Sequence, residues 1–180
     1  MNDKLYIFGS ANTFYRLRIT DIHPNGLAFY VMIEELQFYW NGAWQTNAMT
    51  SDTTGTIGGI PCTTFASSTD GTNGAREAFD GLLWNYSGQI AHSWVSSSSF
   101  LSGGYYVSSN EWVGVQFNQP IPITKFRIYD GHYTNQDLYG YPYNFVFESS
   151  ADNIIWTQLG SWTGQRFAPN PYPNMIEYTL

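Results

Sequence analysis

Two stretches of the sequence combine aromatic rings with hydrogen-bonding side chains, which is the chemistry that a sugar-binding surface needs. They span residues 131–141 and 83–92. A flat ring packs against the apolar C–H face of a pyranose, while amide, carboxylate, guanidinium and imidazole groups bond its hydroxyls. The candidate ligand-binding residues are His132, Tyr133, Asn135, Asp137, Tyr139, Trp84 and Asn85, and Arg166 can join either stretch together with Trp162.

The same composition fits a second role. Tyr and Trp are also enriched in protein–protein interfaces, so these rings can instead pack under long loops or against a neighbouring subunit. For residues 131–141 we favour sugar contact over a pure interface. For residues 83–92 the sequence leaves the two alternatives equal.

Reactive side chains show no arrangement typical of an enzyme. Glu34 and Glu35 are adjacent on a predicted strand, so they face opposite sides and cannot flank one bond. The three histidines, His23, His92 and His132, have no metal-binding spacing. There is no nucleophile elbow and no phosphate-cradling glycine loop. We therefore expect a protein without catalytic activity.

Length, charge and cysteine content limit the remaining classes. The 180 residues fit a single domain spanning residues 1–180. A net charge of −7 argues against nucleic acid or an anionic membrane as partner, because both attract clustered positive charge. No apolar run approaches the length of a membrane span. One cysteine, Cys62, excludes an internal disulfide and a Cys-rich zinc site.

Alternation of apolar and polar residues predicts β-strands along most of the chain. One helical turn is predicted at residues 75–79, and clusters of Gly, Thr, Ser and Asn predict that residues 41–76 are rich in loops. The predicted strands lie at residues 15–20, 35–39, 112–117, 123–129, 143–148, 154–159 and 175–179. Short strands joined by polar loops indicate an all-β fold, an antiparallel sandwich or barrel.

Three segments in order resemble the discoidin, or coagulation-factor type C, family of galactose-binding-like jelly rolls. Residues 77–81 resemble its A-x-D-G turn, and residues 112–117 with 123–128 resemble a characteristic strand pair. Residues 144–156 resemble its S-x-D-G-x-x-W strand and turn, with Asn153 in the place of Gly. The strand pair that usually ends the family comes first here, so the resemblance implies an antiparallel β-sandwich jelly roll that is circularly permuted.

The same resemblance implies a structural Ca²⁺ ion beside the A-x-D-G turn. The family's ligands correspond to the carboxylates of Asp80 and Glu35 and the backbone carbonyl of Ala78. Carboxylates and main-chain carbonyls are the oxygen ligands that Ca²⁺ takes in proteins. The alternative is that Asp80 only caps the turn and Glu35 is solvated.

For function, the resemblance implies non-catalytic binding of a glycan, galactose-like or a surface polysaccharide, by loops at one end of the sandwich. Oligomeric display would strengthen weak single sites.

The chain is similar to small sugar-binding-fold proteins on phage particles, where they serve as capsid decorations, head fibres or tail adhesins. This similarity predicts a virion-surface or extracellular location reached without a signal peptide, and a homo-oligomer or contacts with other virion proteins. The alternative is a structural virion or assembly protein that uses the jelly roll as a scaffold. Residues 1–14, as an N-terminal arm, and the Pro-rich residues 160–180 are candidates for docking onto such partners.

Overall fold

The computed structural model describes residues 11–22, 30–83, 92–96, 110–129, 140–166 and 175–180. These residues form β-strands and a single 3₁₀ turn at Ala75–Ala78. The strands are β1 (Asn12–Ile22), β2 (Met32–Ile33), β3 (Glu35–Trp40), β4 (Ala43–Trp44), β5 (Asn47–Ser51), β6 (Thr54–Ile57), β7 (Ile60–Ala66), β8 (Trp94–Val95), β9 (Trp112–Ile121), β10 (Lys125–Tyr129), β11 (Pro142–Ser150), β12 (Thr157–Trp162) and β13 (Met175–Thr179). Within the described residues, no helix has the length and apolar character needed to cross a membrane.

The strands form two main antiparallel sheets. The larger has the order β12-β11-β1-β9-β7-β6-β5, and the smaller has the order β13-β10-β3-β4. A short third pair joins β2 to β8. In the larger sheet, Leu17 of β1 lies between Phe147 of β11 and Val113 of β9, which fixes the register of the three central strands.

The core lies between the two main sheets. On β1, Tyr15, Leu17 and Ile19 are buried while the intervening side chains are half-exposed, as a period of two requires. The rings of Phe126 and Phe147, from opposite sheets, stack with centroids 4.4 Å apart. The chain is therefore an all-β antiparallel sandwich, and this part of the sequence-based prediction is confirmed.

Residues 41–76, which the sequence predicts to be rich in loops, also contain the strands β4 to β7. Their polar Thr and Ser side chains hide the alternation, while the backbone still pairs. Tight turns replace the expected loops, and one of them places Asn41 and Gly42 in the left-handed region with φ of 51° and 79°. The helical turn predicted at residues 75–79 is confirmed as the 3₁₀ turn.

The prediction of a strand over residues 154–159 is wrong at its start. Ile154 and Ile155 lie in a turn, and β12 begins only at Thr157. The Asp152 carboxylate accepts hydrogen bonds from the backbone N–H groups of both isoleucines, at 2.8 and 2.9 Å. Asn153 adopts a φ of 61° there, so the turn geometry excludes strand pairing.

Both chain ends contribute strands to the sandwich. Residues 12–14 of the proposed arm belong to β1, and residues 160–162 and 175–179 of the Pro-rich segment belong to β12 and β13. The remaining residues of the arm up to residue 10, and residues 167–174, lie outside the described part of the chain.

Candidate functional site

The direction of the strands gathers many connections at one end of the sandwich. Ile22 at the end of β1 pairs with Pro142 at the start of β11. Tyr129 at the end of β10 pairs with Glu35 and with Met175, the first residues of β3 and β13. We call the end formed by these five residues the loop end. The described residues that flank segments 23–29, 130–139 and 167–174 therefore lie there.

The short strand β2 connects further segments of the chain to the loop end. Its Met32 N–H donates to the Gly140 carbonyl at 2.8 Å, and the Glu34 N–H donates to the Tyr129 carbonyl at 3.1 Å. Its other side pairs with β8, which follows segment 84–91 and precedes segment 97–109. Residues that directly follow both aromatic stretches therefore lie beside β2.

Most of the predicted ligand residues belong to segments outside the described part of the chain. His132, Tyr133, Asn135, Asp137, Tyr139, Trp84 and Asn85 lie outside the described residues. Arg166 is described, and it is exposed at the loop end just after β12.

Trp162 has a packing role. Its ring stacks on Phe145 with centroids 5.5 Å apart, and it meets Phe126 and Tyr178 edge-on at 5.1 Å each. The side chain is half-buried against the core. Its contacts are therefore those of a core ring at the sheet edge.

Three potential metal ligands converge beside the 3₁₀ turn. They are Glu77 on the turn, Asp80 just after it, and His92 beyond segment 84–91, and their ligand atoms all lie within 4.8 Å of one another. His92 Nδ1 is 3.3 Å from Glu77 Oε2 and 3.3 Å from Asp80 Oδ2. We call these three residues the carboxylate–histidine cluster. It lies near the loop end, because the N–H of Gly81 donates to the Glu35 carboxylate.

Each carboxylate of the cluster is held by one of its oxygens. Asp80 Oδ1 accepts a hydrogen bond from the Leu82 N–H at 2.8 Å, and Glu77 Oε1 pairs with the Arg76 guanidinium. Asp80 Oδ2 is buried and accepts no hydrogen bond from the described part of the chain. Burial raises the pKa of Asp80 to about 6, with the Leu82 N–H opposing the shift and the Glu77 carboxylate adding to it.

Glu35 contacts the residue that follows Asp80, through the Gly81 N–H, and it is fully buried, so the expectation that it is solvated is wrong. Its Oε1 accepts from the Asn47 amide at 2.5 Å, and its Oε2 accepts from the Gly81 N–H at 3.3 Å. Burial raises the pKa of Glu35 well above its usual value, although the Asn47 hydrogen bond opposes the shift. Ala78, the third predicted ligand, is buried at the end of the 3₁₀ turn.

Of the three residues in the cluster, the sequence identifies only Asp80 as a candidate metal ligand. Glu77 precedes Asp80 by one turn of chain, a spacing that gives only a weak signal. His92 follows a segment whose length carries no information about where it returns. Only the fold brings the imidazole to the carboxylates.

A groove of about 530 Å³ lies elsewhere, on the face of the larger sheet. Hydroxyl and amide side chains, including Thr54, Thr63, Gln116 and Asn118, line it. The one ring in its lining, Phe117, is 1% exposed and turned into the core. Because sugar stacking needs an accessible ring, this groove is a poorer candidate than the loop end.

The opposite end of the sandwich presents an apolar pair. Ile154 and Ile155 are 80% and 73% exposed in the turn between β11 and β12. The hydroxyl of Thr13, near the start of β1, donates to the Ala151 carbonyl beside this turn. We call residues 151–155 the isoleucine turn.

Comparison with known proteins assigns no family. No family model matches the sequence, and no curated protein or solved structure matches it. The resemblance to the discoidin family rests on the sequence motifs alone.

Proposed function

We propose that the protein is a non-catalytic glycan-binding module, with a jelly-roll sandwich of the discoidin type presenting its ligand site at the loop end. The difference between the two ends of the sandwich carries this proposal. Connections at the opposite end are as short as Asn41–Gly42 and residues 122–124. The loop end receives the ends of segments as long as 97–109 and 130–139. Connections of this length are uncommon in small domains, and long connections are often functional.

The composition of two of these segments indicates the class of ligand. Segments 84–91 and 130–139 carry Trp and Tyr rings beside amides and one imidazole, that of His132. Their two charged residues are Asp130 and Asp137. Rings with directional, mostly neutral partners suit a polyhydroxylated ligand such as a galactose-like sugar or a surface polysaccharide. The low content of charged residues favours a neutral glycan.

Glycan-array retention of single variants tests this proposal. Trp84→Ala and Tyr139→Ala should each abolish retention without changing the melting temperature. The matched control is Trp44→Ala, which removes a half-buried ring at the opposite end of the sandwich and should leave retention intact. If wild type retains no glycan, or if all three variants behave alike, the proposal is wrong.

A second candidate function is supported by the isoleucine turn. Two isoleucines exposed side by side on a turn held by Asp152 are unusual for a surface that meets only water. They suit a structural role in which the sandwich is a scaffold for contact with a virion protein or with a second copy. In that case Ile154→Ser with Ile155→Ser should disrupt assembly in sedimentation experiments, while glycan retention by single sites stays unchanged.

The setting on a phage particle belongs to both candidates and rests on the sequence resemblance alone. Immunolabelling of purified particles tests it directly. Label on the particle surface would support display of the loop end to host or environmental glycans. Absence of label from purified particles would exclude a location on the particle surface.

A further inference from the structure

We infer that the carboxylate–histidine cluster binds a divalent transition-metal ion of the zinc type. Glu77, Asp80 and His92 approach from two parts of the chain that segment 84–91 separates. Two carboxylate oxygens and one imidazole nitrogen form the donor set. This inference does not depend on glycan binding.

The two distances from the His92 nitrogen to the carboxylate oxygens fit such an ion. Zn–N and Zn–O bonds of about 2.0–2.2 Å place tetrahedral ligand atoms roughly 3.3–3.5 Å apart. His92 Nδ1 lies 3.3 Å from one oxygen of Glu77 and 3.3 Å from one oxygen of Asp80. His92 is 42% exposed at its side chain, so a fourth position can be filled by water.

A buried oxygen without a hydrogen-bond donor points to a ligand at this place. The Asp80 side chain is only 3% exposed, and its Oδ2 accepts no hydrogen bond within the described ranges. Leaving a buried carboxylate oxygen without a partner is costly, and a cation supplies that partner. The same oxygen is the one that lies 3.3 Å from His92 Nδ1.

The remaining oxygens of the cluster are already fixed by outer contacts. The Leu82 N–H holds Asp80 Oδ1, and the Arg76 guanidinium holds Glu77 Oε1. Such outer contacts orient metal ligands and leave one oxygen of each carboxylate for the ion. The arrangement therefore resembles a preformed site more than a chance accumulation of acidic residues.

The donor set disagrees with the Ca²⁺ ion that the sequence resemblance implies. Ca²⁺ takes six to eight oxygen ligands, whereas this cluster includes an imidazole nitrogen. Both oxygens of Glu35, the other carboxylate that the resemblance implies as a ligand, accept hydrogen bonds from Asn47 and Gly81. Imidazole with carboxylates suits zinc, copper or nickel ions.

Thermal unfolding and calorimetric titration of the full chain, stripped with a chelator, test this inference. Addition of Zn²⁺ at a hundredfold excess over its dissociation constant should raise the melting temperature by roughly 5–10 °C, and binding should have a stoichiometry of one. The same concentration of Ca²⁺ should leave the melting temperature unchanged. No shift with Zn²⁺, or an equal shift with Ca²⁺, overturns the inference.

Variants show whether the ion binds at these residues. His92→Ala and Asp80→Asn should each weaken Zn²⁺ binding at least tenfold, and His92→Ala should fold because the His92 side chain is 42% exposed and lies outside the core. Glu177→Gln is the matched control, since Glu177 is an exposed carboxylate on β13 that pairs with Arg127. Zn²⁺ binding that survives His92→Ala places the ion elsewhere and refutes the site. Glycan retention is measured separately, so failure of one proposal leaves the other standing.

Discussion

The contact between Gly160 and Trp162 on β12 gives a test of whether Trp162 packs or binds ligand. A Cβ built on Gly160 meets the Trp162 ring, with two of its carbon atoms 3.0 Å away and a third closer still. The three nearest atoms all belong to this ring. Gly160→Ala therefore has to displace the indole from its contacts with Phe126, Phe145 and Tyr178.

The expected magnitudes follow from these contacts. Complete loss of a buried Trp ring costs about 3–5 kcal/mol, so Trp162→Ala at this half-buried position should cost about 2–4 kcal/mol. Gly160→Ala should cost about 1–3 kcal/mol, because it overfills the same space. In the Trp162→Ala variant the indole ring is absent, so Gly160→Ala should then leave the free energy of unfolding nearly unchanged. The two changes should thus couple by about 1–3 kcal/mol.

A double-mutant cycle with urea unfolding measures this coupling. Trp44→Ala on β4 replaces Trp162→Ala in the control cycle, and there the changes should add within about 0.5 kcal/mol. Additivity in the Gly160–Trp162 cycle would refute the packing role. Glycan retention by folded Trp162→Ala should equal that of the wild type, and a specific loss would return Trp162 to the candidate ligand residues.

Glu148→Gln should reduce the free energy of unfolding by about 2–3 kcal/mol at neutral pH, because Arg16 and Arg18 lose their shared carboxylate. Burial alone would raise the pKa of Glu148, but hydrogen bonds from Arg18 and Arg16 outweigh it and lower the pKa. The wild type should therefore lose this stabilisation as the pH falls through the folded pKa, and urea titrations of Glu148→Gln across acidic pH should show a shallower loss. Burial raises the pKa of Cys62 to about 11, so a thiol reagent at pH 8 should label it only after unfolding, and rapid labelling of the native protein would contradict its position. Gly140→Ala should lower the melting temperature sharply, because the added Cβ would overlap the backbone carbonyl oxygen of Tyr30 beside β2. An unchanged melting curve would show that Gly140 does not pack closely against this part of the loop end.

The sequence predicted those strands whose inward residues are large and apolar. Tyr15, Leu17 and Ile19 alternate with polar residues, and this period of two follows directly from strand geometry. The strands β5 to β7 were missed because Thr, Ser and Gly supply few apolar residues to the pattern. The turn at Ile154 was read as strand because β-branched residues favour strands, whereas Asp152 bonds the backbone locally and prevents pairing.

The candidate site was less accessible to sequence reasoning. Asp80 was identified because a short local motif surrounds it. His92 lies just before β8, and the pairing of β8 with β2 helps to bring it within 3.3 Å of Asp80. The sequence does not reveal this pairing. For Glu35 the sequence leaves two alternatives, a ligand or a solvated group, and its burial beside Asn47 excludes the solvated one. Local patterns predict elements, whereas a site assembled from distant residues depends on tertiary structure.

Different contacts hold the two ends of the sandwich, and this separates the two candidate functions. The isoleucine turn is held by local hydrogen bonds from its backbone N–H groups to the side chains of Asp152 and Ser150, whereas the loop end depends on backbone contacts to β2. Changing Ile154 and Ile155 should therefore leave each glycan site intact. If these changes nevertheless reduce retention, a loss of multivalency explains it, since fewer linked sites give a lower effective concentration. The loss would then appear on densely coated glycan arrays and vanish in calorimetry with a monovalent sugar. A loss in both assays would mean that the isoleucine turn itself contacts the glycan, contrary to the placement of the site at the loop end.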